Sequence, residues 1–240
     1  MLSYNKLKDR SRDFLTATGL TLDEFQQLLP AFQGAYEQQY PSELTRTGTP
    51  RQRRPGGGAK GVLQRFEDKL LFILIYQKTN PLQTMQALQF GLSQPQANYW
   101  LHQLLPVLQQ ALVALEHAPE RDASHLATSP LALEGAPATA IDGTERRRQR
   151  PIDTQLQQEH YSGKKKTHTD KNLVLVHEMT RKVVYLGPTT AGRRHDKKAA
   201  DEAQIGYPTN ATLDKDTGFQ GYEPDRVLTA QPKKSPKAAR

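Results

Sequence analysis

A single change of hydrophobic period most constrains what this chain can fold into. From Phe66 to Leu115 apolar residues recur at helical spacing, with breaks at Thr79-Asn80-Pro81 and at Phe90-Gly91-Leu92-Ser93. This predicts three helices, near 65–78, 81–89 and 94–116. After about residue 137 the pattern becomes short β-type runs, at Ala138–Asp142, Asn172–His177, Lys182–Leu186 and Ala211–Asp214. A chain of 240 residues that switches period in this way is expected to hold two domains, a helical one and then an α/β one. The fold class is α+β, multidomain.

Upstream of the helical run, Thr21 stands three residues before Glu24, the signature of a capping box. Leu22, Phe25, Leu28, Leu29, Phe32 and Tyr36 then lie on one helical face, and Pro30 is expected to kink or end that helix. Residues 1–40 are therefore read as an N-terminal helical segment. Residues 41–61 collect Pro41, Pro50, Pro55 and several glycines with Arg46, Arg51, Arg53, Arg54 and Lys60. Such a basic Gly/Pro linker either tracks phosphates or is simply solvated. The helical domain occupies 62–117. A second linker is expected at 118–136, the α/β domain at 137–228, and a Pro-broken basic tail, disordered, at 229–240.

Within the helical domain, Gly91 is a left-handed stop for the short helix, and Ser93 with Gln96 caps the next one. Helix, Gly turn and capped helix at this spacing form a helix-turn-helix, whose second helix enters the major groove. Ala97, Trp100, Leu101, Leu104, Leu105 and Leu108 make its buried face. Gln94, Gln96, Asn98, Tyr99, His102 and Gln103 face outward, and amide side chains can pair bidentately with adenine. A helical bundle also needs a polar outer face, so the DNA-binding reading rests on the whole arrangement.

Net charge is +8 and clustered, which points to a polyanionic partner. There is no Cys, so any metal must be held by carboxylates, His or backbone oxygens, a donor set that favours hard ions. The start of the chain has no apolar leader, and the most apolar run, Leu70 to Tyr76, is far shorter than the roughly 20 residues that cross a bilayer. A soluble cytoplasmic protein associated with the nucleoid is expected.

The chemistry-bearing residues lie in the second half. Asp142 ends a short apolar strand and is followed by Gly143, and Asp216 follows a second such strand and precedes Gly218. Carboxylates raised on neighbouring strands can share hard divalent ions for an in-line phosphoryl displacement. A lone strand-end Asp is more commonly a turn former or cap. Here basic runs flank both acids: Arg146, Arg147, Arg148 and Arg150, then Lys164, Lys165, Lys166 and Lys171, then Arg193, Arg194, Lys197 and Lys198. Each is expected in a loop beside a strand end, where phosphates would pass. His160, His168, His177 and His195 lack zinc spacing. His195-Asp196 opens a helix, where Asp196 could merely cap.

The motifs I-D-G-T-E-R at 141–146, Y-S-G-K-K-K-T-H at 161–168, G-R-R-H-D-K at 192–197 and D-T-G-F-Q-G-Y at 216–222 resemble insertion-sequence transposases. The similarity is to insertion sequence family five, with a helix-turn-helix before a DDE-superfamily endonuclease domain, and it runs from about Leu20 to Lys237. It implies an incomplete ribonuclease-H-like α/β domain in which Asp142 and Asp216 are catalytic and hold Mg2+ or Mn2+. It implies cleavage at terminal inverted repeats and strand transfer. Partners would be double-stranded DNA, both the inverted repeats and the target, with a homodimer as the candidate assembly and no membrane. DNA contacts would come from Gln94, Gln96, Asn98, Tyr99 and His102, and from Arg146, Arg147, Arg148, Lys164, Lys165, Lys166, His195 and Lys197.

The family's catalytic Glu comes from a helix well beyond D-T-G-F-Q-G, whereas the acids after Asp216 are Glu223 and Asp225. A C-terminally truncated chain, short of the last strand and helix and inactive alone, is the expectation. The alternative is a non-catalytic DNA-binding repressor of transposition.

Overall fold

The predicted helical half does form helices, and their apolar stripes decide how they meet. In the computed structural model, which describes residues 1–45, 48–52, 61–134 and 137–232, the chain divides into two units, Met1–Ala118 and Pro119–Arg240. The first holds α1 (Tyr4–Leu7), α2 (Ser11–Thr18), α3 (Leu22–Gln39), α4 (Phe66–Thr79), α5 (Gln83–Phe90) and α6 (Gln94–Ala114). Tyr4, Phe14, Phe25 and Phe32 share one core with Leu70, Phe72, Ile73, Phe90 and Leu104. Residues 1–40 and 62–117 therefore build one helical body rather than a segment and a separate domain. The rings of Tyr4, Phe14 and Phe25 pack on one another with centroids 5.2 to 6.3 Å apart.

The capping box at Thr21 is formed, with the Glu24 N–H donating to the Thr21 hydroxyl and the Thr21 N–H donating to the Glu24 carboxylate. Pro30, expected to kink or end the helix, does not end it: α3 continues through it to Gln39. A proline inside a helix costs about 3 kcal/mol. Phe25, Leu28, Phe32 and Ala35 are buried on either side of it, and each large apolar side chain gains about 1.5–3 kcal/mol by burial, so packing wins. In the connector, the Arg51 N–H donates to the Glu43 carbonyl and Leu44 bridges Pro50, a small turn. Arg46 and residues 53–60, with Arg53, Arg54 and Lys60, lie outside the described residues.

The second unit begins where a linker was expected. A 3-10 turn at Ala123–Thr128 and α7 (Pro130–Leu133) bury Leu126, Leu131 and Ala132 in the same core as Ile141, Leu175, Val184, Leu213 and Phe219. The prolines of this stretch misled the reading, because Pro130 stands at the first turn of α7, where its missing N–H costs nothing.

The sheet consists of β1 (Ala138–Arg147), β2 (Tyr161–Ser162), β3 (Thr167–His177), β4 (Val183–Leu186), β5 (Thr190–Ala191), β6 (Thr212–Lys215) and β7 (Leu228–Ala230). Its order is β2-β3-β1-β6-β7, with β4 and β5 also pairing with β3. β3 is antiparallel to β1, while β6 is parallel to β1 and β7 is parallel to β6. Two helices belong to this unit as well, α8 (Thr154–His160) and α9 (Asp196–Ala203). The domain boundary set at 228 falls inside β7, because Leu228, Thr229 and Ala230 pair with Thr212, Leu213 and Asp214. No helix among the described residues is long and apolar enough to cross a membrane.

Candidate active site and nucleic-acid interface

The alternation of a strand assigns the acids to a face. In β1 and β6, Ile141, Leu213 and Lys215 are buried, while Asp142 and Asp216 are exposed. Ala140 pairs with Asp214 and Ile141 with Lys215. The β1–β6 pairing ends at Ile141 and Lys215, so Asp142 and Asp216 are the next residues of the two adjoining parallel strands, both exposed. Each has one oxygen engaged by a nearby glycine: the Gly143 N–H donates to Asp142 Oδ1 at 2.7 Å and the Gly218 N–H to Asp216 Oδ1 at 2.8 Å.

A third carboxylate, that of Asp196, packs against the glycines that follow the two acids. A β-carbon placed on Gly143 would lie 2.5 Å from Asp196 Oδ1, and one on Gly218 would lie 3.1 Å from Asp196 Oδ2 and 3.0 Å from Asp216 Oδ1. Asp196 thus occupies the space that glycine leaves after each candidate acid. It does not cap α9; His195 holds the cap position, and no side-chain cap bond forms there. Instead the buried Lys171 ammonium donates to Asp196 Oδ1 and to the Arg194 carbonyl, both at 2.7 Å, and lies 3.5 Å from Glu145 Oε1. Burial pushes the Glu145 carboxyl up, but hydrogen bonds from Ser162 and Thr169, together with Lys171, outweigh it and hold the group below its ordinary value. Sequence reasoning gave Glu145 no role and left Asp196 open between a cap and a site residue. The usable signal was a glycine close after each acid, where a neighbour must approach closely.

Beside Asp216, the buried Lys215 ammonium donates to the Tyr222 carbonyl and to Glu223 Oε1, closing the D-T-G-F-Q-G-Y turn. Lys215 and Thr229 hold the Glu223 carboxyl low. Burial pushes the Tyr207 hydroxyl well above the usual tyrosine range, and its partner Tyr222 adds to this. On the exposed face of β1 and β6, a hydrogen bond with Asp214 raises the Glu178 carboxyl, helped by burial. Even so, among the described residues no three His, Asp or Glu side chains converge closely enough to hold one metal ion.

The basic runs separate. Arg146 and Arg147 belong to β1 itself, correcting their expected place in a loop, since the strand pairs with β3 as far as Arg147 and Thr169. Arg146 donates to Asn172 at 2.8 Å, and Arg148 pairs with Asp170 at 2.9 Å. Lys164, Lys165 and Lys166 occupy the exposed turn between β2 and β3. Lys197 lies on α9, where it pairs with Asp201 at 2.6 Å and packs within 3.3 Å of a β-carbon placed on Gly221, beside the Asp216 turn. His195 is exposed at the start of α9.

In the helical unit, Gly91 takes φ +67 between α5 and α6, and Ser93 and Gln96 form the capping box. The Gln96 carbonyl oxygen is therefore committed to the Ser93 N–H at 2.9 Å. Gln94 and Asn98 are tied together through Gln83, which accepts from Gln94 at 2.6 Å and donates to Asn98 at 3.0 Å. This amide chain links α5 to the first turns of α6. Tyr99 packs edge-on against Trp100, and His102 is exposed. Trp100, expected in the core, is half-buried and sits under the Lys69 ammonium at 5.6 Å.

A helix-turn-helix unit followed by an α/β unit with acids at neighbouring strand ends has the layout of a DNA-binding nuclease. Residues 62–114 match the family described as helix-turn-helix of DDE superfamily endonuclease, and residues 141–238 match the DDE superfamily endonuclease family. Together these mark the chain as a DDE-superfamily transposase-like protein. No curated protein and no solved structure matches it.

Proposed function

We propose that this chain is a DDE-type transposase of the insertion-sequence class, or a portion of one, whose α6 reads terminal inverted repeats and whose Asp142 and Asp216 form the nuclease centre. The register of β1 against β6 supports this reading, because Ile141 pairs with Lys215 and an exposed acid follows each of them. The mixed sheet, parallel across β1, β6 and β7 and antiparallel across β1, β3 and β4, supports a ribonuclease-H-like domain.

The DDE endonuclease superfamily is generally dependent on divalent metal. The donor set fits: exposed carboxylates with no thiolate or clustered imidazole suit Mg2+ or Mn2+. Bound by Asp142 and Asp216, such an ion supplies the Lewis acidity and positive charge that phosphodiester displacement requires. The glycine N–H groups engage one oxygen of each carboxylate, and Lys171 holds Asp196 against the glycine that follows Asp142. Arg147, Lys164, Lys165, Lys166 and Lys197 are suited to positioning the phosphate backbone. With no triad of converging acids among the described residues, full turnover is expected to need a further carboxylate.

That same observation favours a second reading, a DNA-binding repressor without catalysis. A nicking assay on inverted-repeat DNA with Mn2+, comparing the parent chain with Asp142→Asn, separates them. Nicking that Asp142→Asn abolishes, together with weakened Mn2+ binding in a calorimetric titration, supports the nuclease. Equal inactivity with undiminished duplex binding supports the repressor.

A further inference from the structure

Away from the acids, the second unit contains a cleft of about 750 Å³ bordered by Arg150, Gln157, Gln158, Tyr161, His168 and Arg193. That volume is within the range of about 300–1,000 Å³ of small-ligand sites. No acid lines it among the described residues. We propose that this cleft is a binding site for an unpaired nucleotide of the DNA strand that the sheet engages.

The chemistry of the walls selects that ligand. Tyr161 and His168 face each other across the β2–β3 pair, with ring centroids 5.6 Å apart at 72°. Tyr161 is 43% exposed, an open aromatic face of the kind on which nucleobases stack. Arg150 is held in place by Gln157 Oε1, at 3.1 Å from Nε and 2.8 Å from Nη2, which leaves the remaining N–H groups of its fork for a phosphate. Arg193 is exposed on another edge of the cleft, its backbone N–H fixed to the Glu159 carbonyl. Gln158 adds an amide group able to meet a base edge. Two guanidinium groups around an aromatic pair fit a phosphate and a base together.

Duplex DNA does not satisfy this arrangement, because its bases are stacked on one another and offer no free face. The cleft is also too small for a duplex. Six residue steps, along β1 and one past its end, lead from Asp142 to Arg148, roughly 20 Å at 3.3 Å per residue, and Arg146 and Arg147 lie between. A strand that leaves the acids along β1 therefore passes cations before its unpaired end reaches the cleft. The direction of that path rests on the nuclease reading above; the cleft's preference for an unpaired nucleotide does not.

Fluorescence anisotropy of the full chain with a labelled hexathymidylate, at fixed salt and against a duplex competitor, tests the site. Tyr161→Ala is expected to weaken hexathymidylate binding by about 5- to 150-fold, the worth of one stacked base. Tyr161→Phe keeps the ring and should bind as the parent does. Arg193→Ala should weaken the single strand more than the duplex. Circular dichroism of each variant establishes that the fold is kept. Parent-like hexathymidylate affinity in Tyr161→Ala overturns the site, and so does an equal loss for single strand and duplex. Selective loss in a chain that shows no Asp142-dependent nicking leaves the cleft standing and removes the nuclease reading instead.

Discussion

Replacing Lys171 with Met removes one ammonium from under three acceptors and leaves its carboxylates behind. The lysine side chain is 6% exposed, as is Glu145, and Asp196 is 19% exposed, so solvent screens little of what is lost. Taking one partner from a buried ion pair costs about 3–5 kcal/mol, since the remaining charge stays buried without compensation. A domain of this size is stable by about 5–15 kcal/mol, so the loss is a large share of the total. Each 1 kcal/mol moves the midpoint of such a domain by about 4 °C, which gives a drop of roughly 10–20 °C.

The assay can separate the two units. Trp100 is the sole tryptophan and lies in the first unit, so its fluorescence follows the helices, while exchange of the Leu175 and Val184 amides follows the sheet. Lys171→Met should lower protection at Leu175 and Val184. The triple variant Lys171→Met, Glu145→Gln, Asp196→Asn carries no stranded charge and should recover most of the loss. A cost for Lys171→Met below about 1 kcal/mol, the worth of an exposed pair, would refute the argument from burial. A triple variant no better than the single one would show that packing, not charge, carries the effect.

Gly143→Ala puts a β-carbon 2.5 Å from Asp196 Oδ1, so it should displace that carboxylate at a cost of about 1–3 kcal/mol and weaken Mn2+ binding, read by melting and calorimetric titration. Glu145 has a folded pKa below its ordinary 4.5, so the unfolded chain takes up protons first as pH falls. Its contribution to stability is therefore full above that value and lost as pH drops through the folded one; urea midpoints between pH 6 and 3 should fall less steeply in Glu145→Gln. Leu126→Ala should cost the second unit about 2–5 kcal/mol by denaturant titration, whereas a surface linker would lose almost nothing.

Local signals were legible where chemistry acts over a few residues. Thr21 with Glu24 and Ser93 with Gln96 announced their helix starts, and Gly91 announced the stop, because a cap or a left-handed residue is decided by its immediate neighbours. The persistence of α3 through Pro30 was not legible, since it depends on whether Phe25 and Phe32 find partners elsewhere in the chain. For the same reason Leu126 and Leu131, short apolar positions among prolines, read as linker until the sheet they pack against is known. Asp142 and Asp216 were visible one at a time as strand-end acids. That they follow the last paired residues of adjoining strands was not, because it needs the parallel register of strands over 70 residues apart.

The arrangement of charge beneath the sheet explains how so many acids can gather in a folded chain. Lys171 on one side and Lys215 on the other are buried, and between them they pair with Glu145, Asp196 and Glu223. Each lysine lies close to a candidate acid: Lys215 precedes Asp216 in sequence, and Lys171 holds Asp196 against the glycine that follows Asp142. The buried ammonium groups are thereby consumed internally, and neither is directed at Asp142 or Asp216 by any hydrogen bond among the described residues. Two lysines shared among three carboxylates leave these pairs without net positive charge. On the proposed nuclease reading, a divalent cation from solvent is the partner that these exposed acids would attract.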